Sequence, residues 1–268
     1  MKNRYILLIL LVGFMATSSF AQKKKNKKDP NPAAAGFNLE GSDARAVELA
    51  DEVMTAMGGR RAWDNTHYLT WNFFGSRRLV WDKWSGNVRV ENLRNNTVTL
   101  VNINTRQGKF MRNGVEETQP DSVKKYSDRG VSAWINDSYW LVMPYKLKDS
   151  GVTLKYLGEE KTEVGEEAEV IQMTFQNVGD TPQNKYKIWV SKSTHLVVQW
   201  AHFSKAENEK PNFVNPWLDY EKHGNVLLSG SRGQRKITEI KVFDSLPDAI
   251  FTSFDKVDLS QLPESQIK

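Results

Sequence analysis

Few residues in this chain are of a type and spacing that would do chemistry. The four histidines, His67, His195, His202 and His223, are scattered, and there is no cysteine. His195 and His202 stand seven apart in a strand-like region, which puts them on opposite faces of a regular strand. No His-Glu-x-x-His helix and no cysteine pair is present, so no metal site is expected. The lack of cysteine also excludes disulfides, a thiol nucleophile and lipid attachment through an N-terminal Cys. Gly230-Ser231-Arg232-Gly233 lacks the spacing of a nucleophile elbow. Neither a phosphate loop nor a dinucleotide fingerprint appears. Residues 159–167 hold five Glu but not the Asp-x-Asp-x-Asp-Gly spacing of a calcium loop, which reads as a solvated hairpin tip. Asp82, Glu91, Asp219 and Glu221 stand beside aromatics, and a carboxylate pair for glycoside hydrolysis needs no closeness in sequence. A carboxylate-dependent hydrolase of glycans or lipids is therefore kept as an alternative. No catalytic residue and no cofactor is assigned.

Aromatic and aliphatic side chains are what remains. The chain has 9 Trp, 8 Tyr and 12 Phe in 268 residues. Trp71, Phe73, Leu79, Trp81, Val88, Val90, Ile188 and Trp200 recur at strand spacing, and Trp134, Tyr139, Trp140 and Met143 lie in a helical block. These twelve are the candidate ligand-lining residues, with the block 134–143 as a lid. The plain alternative is ordinary core, since each large ring buries much apolar area. A third reading is a partner- or sugar-binding module with an exposed aromatic patch.

The elements that would position them follow from periodicity. Residues 22–41, rich in Lys, Asn, Pro, Ala and Gly, read as a flexible linker. Ala46, Val47, Ala50, Val53, Met54 and Met57 share a helical face. Ser42 is the expected N-cap and Gly58-Gly59 the stop. Short alternating segments separated by turn signals continue to the hairpin dipeptide Asn113-Gly114. Residues 121–142 read as helical, broken at Gly130 and stopped by Pro144. Strands then resume at 152–157, 169–175, 185–191, 196–204, 213–220, 226–229 and 236–243. The segment 255–268 reads as a polar tail.

The formal charge of +5 is a property of one end. Residues 1–28 carry seven Lys and Arg and no acid; without them, 30 basic residues face 32 acidic ones. No basic stripe remains to neutralise phosphates, so nucleic acid is not an expected partner. Lys2 and Arg4, the short apolar run 6–15 and the small-x-small triplet Ser19-Phe20-Ala21 read as a signal peptide spanning 1–21. Export to the periplasm, or beyond it, is the expected localisation. The lysines at 23–28 form a solvated tail whose sharper reading is contact with anionic lipid headgroups.

The order helix, meander, helical block, second run of strands resembles the lipoprotein-carrier (Lol-type) fold of Gram-negative periplasms. More narrowly, the chain resembles a family of uncharacterised exported proteins of the Bacteroidota. The residues carrying that resemblance are Ala56-Met57-Gly58-Gly59 with Ala62-Trp63, Trp71-Asn72-Phe73-Phe74-Gly75 with Trp81-Asp82-Lys83, and Asp137-Ser138-Tyr139-Trp140-Leu141-Val142-Met143-Pro144-Tyr145-Lys146-Leu147. The resemblance implies an α+β domain over 42–254, a single curled antiparallel sheet forming an open half-barrel with helices on its concave face. It also implies a non-enzymatic carrier holding a lipid or other hydrophobic or amphipathic ligand. No lid-closing Arg is carried over onto Arg77, Arg78 or Arg89.

Overall fold

The computed structural model describes residues 29–266. The expected signal peptide and the lysine-rich stretch 23–28 lie outside them. Two short helices, α1 (Ala44–Ala56) and α2 (Arg60–Asn65), precede a meander of six strands: β1 (Tyr68–Phe73), β2 (Arg77–Asp82), β3 (Asn87–Asn92), β4 (Thr97–Asn102), β5 (Gly108–Arg112) and β6 (Val115–Glu116). The long helix α3 (Pro120–Val142) follows and ends in a 3-10 turn, Met143–Lys146. Eight more strands complete the sheets: β7 (Val152–Lys161), β8 (Glu167–Phe175), β9 (Lys185–Ser191), β10 (Val197–Phe203), β11 (Phe213–Pro216), β12 (Leu218–His223), β13 (Val226–Arg232) and β14 (Arg235–Phe243). A short helix, α4 (Ala249–Thr252), precedes the C-terminal segment.

Where the sequence predicts one sheet, the strands form two. Nine run in the order β12-β13-β14-β1-β2-β3-β4-β5-β6 and five in the order β11-β10-β9-β8-β7, with antiparallel neighbours. The expected strand 213–220 is the junction. Its first half pairs with β10 and its second with β13. Between them the Trp217 amide still reaches the Val198 carbonyl at 2.8 Å, and Asp219 takes a left-handed φ of 57°. One bent stretch thus serves both ladders, and the far edges, β6 and β7, stay unpaired with each other. The architecture is α+β and open.

Alternation decides the faces. Leu69, Trp71, Phe73, Leu79, Trp81, Val88 and Val90 join one core cluster with α1 and the C-terminal part of α3. Every residue of β1 is nonetheless buried, because the outer face is covered too. Tyr68, Val80 and Phe243 meet Leu246 and Ile250, with Val257, Leu259 and Leu262 packed beside them. The fully buried Arg89 fastens this cover, donating to the carbonyls of Ile250, Ser253 and Asp255. The C-terminal segment is therefore a docked layer through residue 266, not a free tail. Its apolar residues are too sparse to show a period.

Three other local expectations change. Residues 29–41 are bound to the body, not a free linker. Asn31, 3 % exposed, donates to the Thr55 hydroxyl and the Asp51 carbonyl and accepts from the Arg60 amide; Asn38 bonds backbone to backbone with Val152. The N-cap of α1 is Asp43, and Ser42 instead accepts from the Leu154 amide and donates to the Asn38 carbonyl. Helix α3 runs unbroken through Gly130. A Cβ there would lie 2.7 Å from Thr99 Cγ2, so this glycine allows the helix to lie close against β4.

Candidate functional site

Most of the hollow of the larger sheet is filled. Trp63, Tyr145 and the end of α3 pack into it, and α1, lying against β7 of the smaller sheet, joins the same cluster. Trp63 and Tyr145 stack with centroids 4.4 Å apart. The buried Tyr145 hydroxyl donates to the Met57 carbonyl at 2.8 Å and accepts from the Leu227 amide at 3.1 Å. Trp71, Phe73, Leu79, Trp81, Val88, Val90, Met143 and Ile188 all lie in this core, and none of these eight candidates borders the cavity described next. Their faces were legible, but not the helical residues that fill the volume between them.

Open space lies one step away, between α3 and the inner face of the five-stranded sheet. It is a cavity of about 790 Å³. Trp134, Tyr139, Trp140 and Trp200, the other four candidates, line it together. Phe175, Tyr186, His202 and Phe213 complete the aromatic wall. Strand alternation brings them there: Tyr186 and Ile188 share a face of β9, as do Trp200 and His202 on β10. Going along that face, Ile171, Ile188 and Val190 sit in the core, and Phe175, Tyr186 and His202 stand at the strand ends over the cavity. The rings lock one another. Trp140 meets Trp200 edge-on at 4.9 Å and Phe213 at 5.3 Å; His202 stacks on Phe213 at 5.0 Å; Tyr139 lies 5.6 Å from Tyr186. Such contacts each add about 0.5–1.5 kcal/mol beyond area burial.

The cavity wall is neutral. Burial holds the Tyr139 phenol well above its ordinary range, and pushes Tyr186 up to about 12, with a hydrogen bond to Asn184 pulling partly back. Burial lowers the His202 imidazole, leaving it uncharged at neutral pH. Charge is confined to the lip, where Lys146 pairs with Asp149 one turn away and Asp180 is exposed on the loop after β8. Asn136, Thr181, Gln183 and Asn184 add amides and a hydroxyl.

Two arginines, Arg77 half-buried and Arg232 buried, pin α3 against the larger sheet. Arg77 on β2 grips the fully buried Asp137 in a bidentate pair of 2.6 and 2.7 Å. Arg232 on β13, 1 % exposed, donates to the Trp140 carbonyl and lies 3.4 Å over the Trp217 ring.

The acids named from sequence are engaged elsewhere. Asp82 accepts from the Trp84 and Ser85 amides, Glu91 pairs with Arg89 and Arg78, and Asp219 pairs with Lys236. Glu221 is exposed on β12. None of the four lines the cavity. Of the Trp residues only Trp84 is exposed, lying over His67 with centroids 3.7 Å apart. A single exposed ring is not a patch.

Among known proteins, no family model matches this chain, and no curated protein matches it. Solved structures do overlap it. A DUF1329 family protein from Desulfovibrio piger shares 12 % identity at a TM-score of 0.43, covering 77 % of this chain and 96 % of its own. A LolA superfamily protein from Nitrosomonas europaea shares 10 % identity at a TM-score of 0.38, covering 78 % and 97 %. MucB in complex with MucA(peri) shares 13 % identity at 0.23, covering 70 % and 57 %. Likeness at these identities and TM-scores says nothing of what the present chain binds. That question rests on the cavity.

The aromatic wall residues missed from sequence, Phe175, Tyr186, His202 and Phe213, carried one usable signal. Inward positions change from aliphatic to ring-bearing near the strand ends, as at Ile188 to Tyr186.

Proposed function

We propose that this chain is an exported, non-enzymatic binding protein that holds a hydrophobic or amphipathic ligand, such as a lipid, in the cavity between α3 and the five-stranded sheet. The observation that carries this reading is the cavity itself: about 790 Å³ walled by eight aromatic rings. That volume lies within the range of small-molecule sites. Burying about ten methylenes there contributes roughly 8 kcal/mol gross, before the cost of association. The signal-like segment 1–21 supports export, and the lysines at 23–28 supply a contact for anionic membrane surfaces. No helix among the described residues is long and apolar enough to cross a membrane.

The test is tryptophan fluorescence during titration with dodecyl amphiphiles kept below micelle formation, together with native mass spectrometry of the purified protein. Trp134, Trp140 and Trp200 all line the site, so occupancy should change the emission. Ser132→Trp, at a half-buried wall position of α3, places an indole in the cavity beside the ligand's path and should weaken the response. A wild-type protein that never carries or takes up an amphiphile, or a Ser132→Trp variant that binds as well as wild type, refutes the reading.

A further inference from the structure

The lip charges bear on which ligands the cavity admits. Of the residues bordering it, only Lys146, Asp149 and Asp180 carry charge at neutral pH, because burial keeps His202 neutral. The single cation among them is already paired with Asp149. Asp180 is left over, so the lip is net anionic by one charge. The next cations do not reach the space. Arg235 stands 5.9 Å from the Trp140 centroid and does not line the cavity. Arg232 is sealed from solvent against Trp217, bound to Ser229, Ser231 and the Trp140 carbonyl. A carboxylate, phosphate or sulfate entering here would find no free guanidinium or ammonium, the usual partners of such groups. Uncharged donors and acceptors are abundant by contrast. Gln183 and Thr181 are exposed at the mouth, Asn136 lies on α3, and Asn184 borders the Tyr186 hydroxyl. The interior adds the aromatic faces against which sugar rings or alkyl chains pack.

We propose, resting on the cavity reading above, that the site selects amphiphiles whose headgroup has no net negative charge and presents hydroxyl or amide groups to the lip. A single-chain glycolipid-like molecule is the chemical class that fits: an apolar tail among Trp140, Trp200 and Phe213, and an uncharged polar head between Asp180 and Asn184.

Three probes with the same tail and different heads test this: dodecyl maltoside, dodecanoate and dodecyltrimethylammonium. Each is titrated below micelle formation at about pH 8, where carboxylates are fully ionised, with Trp fluorescence and native mass spectrometry as readouts. The maltoside should bind about fivefold or more tighter than dodecanoate, the size of one like-charge contact at a solvated lip. Raising the salt should narrow the gap. Asp180→Lys, a change on an exposed loop, should raise dodecanoate affinity about fivefold or more relative to the maltoside. Dodecanoate binding as tightly as the maltoside, or tighter, overturns the headgroup inference while leaving the cavity reading standing. So does an Asp180→Lys variant with unaltered preference. Failure of all three probes, or equal binding by Ser132→Trp, overturns the cavity reading and the inference with it.

Discussion

The bond that holds α3 against the larger sheet gives a sharp test of the packing. Asp137 is fully buried, and its carboxylate meets only Arg77 and the Asn136 amide. Burial raises its affinity for a proton; Arg77 and Asn136 pull partly back. Arg77→Met keeps most of the side-chain length and removes the guanidinium. A buried carboxylate then remains with one neutral donor. Removing one partner of a buried pair costs about 3–5 kcal/mol. The Arg77 side chain is 27 % exposed, so water substitutes in part and about 3 kcal/mol is the better figure. For a chain of this size that lowers Tm by about 6–12 °C. The sign with pH follows from proton linkage. With its folded-state pKa raised further, Asp137 binds more protons folded than unfolded between the ordinary carboxylate range and that raised value. The variant's stability therefore falls as pH rises through that window. Its deficit against wild type is largest at neutral pH and shrinks on acidification. Adding Asp137→Asn should recover most of the loss, since the buried charge is gone. Urea denaturation of wild type, the single variant and the double variant from about pH 5 to 8 measures all of this. A single variant within about 1 kcal/mol of wild type, or a double variant as unstable as the single, refutes the account.

Two further outcomes follow from particular contacts. Gly130→Ala gains about 1 kcal/mol of helix propensity, but its methyl meets Thr99 Cγ2 at 2.7 Å and Val101 Cγ1 at 3.3 Å, and overpacking costs about 1–3 kcal/mol; the urea midpoint should fall, and a higher midpoint would show that β4 yields freely. Lys83 lies 4.6 Å over the Trp63 ring, and burial lowers its ammonium from 10.5 to about 8. The unfolded chain then binds more protons between those values, so this group's contribution to stability rises with pH across the window. Lys83→Met should be at its best relative to wild type at neutral pH and lose ground by about pH 10; a difference constant with pH would refute the assignment.

Much of the fold was legible because strands announce themselves by alternation. Leu69, Trp71 and Phe73 sit on the inner face as their spacing requires, and Asn113-Gly114 makes the turn between β5 and β6 with φ of 50° and 81°. What escaped was whatever depends on one segment meeting another far along the chain. Asn31 looks like linker until Thr55 and Arg60 are beside it, and Gly130 looks like a helix breaker until β4 is against it. The single sheet became two where Pro216, which has no N–H for a ladder, stands before Trp217 and the left-handed Asp219, and the Asn215-Pro216 pair is the one local mark of that break. The candidate site divides along the same line. Sequence reasoning placed inward rings on both sheets but had no means of knowing which sheet the helices would fill. Trp63, Tyr145 and the end of α3 pack with Trp71, Phe73 and Trp81 in one core cluster, which α1 joins from the β7 side. Helix α1 lies against the β7 side of the five-stranded sheet, while α3, pinned at Asp137 and Trp140 toward the other side, leaves the rings of Tyr186, Trp200 and His202 with space in front of them. The arginines that hold α3 toward the larger sheet thereby help set the width of the cavity beside the smaller one. Arg77→Met is thus expected to alter the width of that cavity as well as to lower stability.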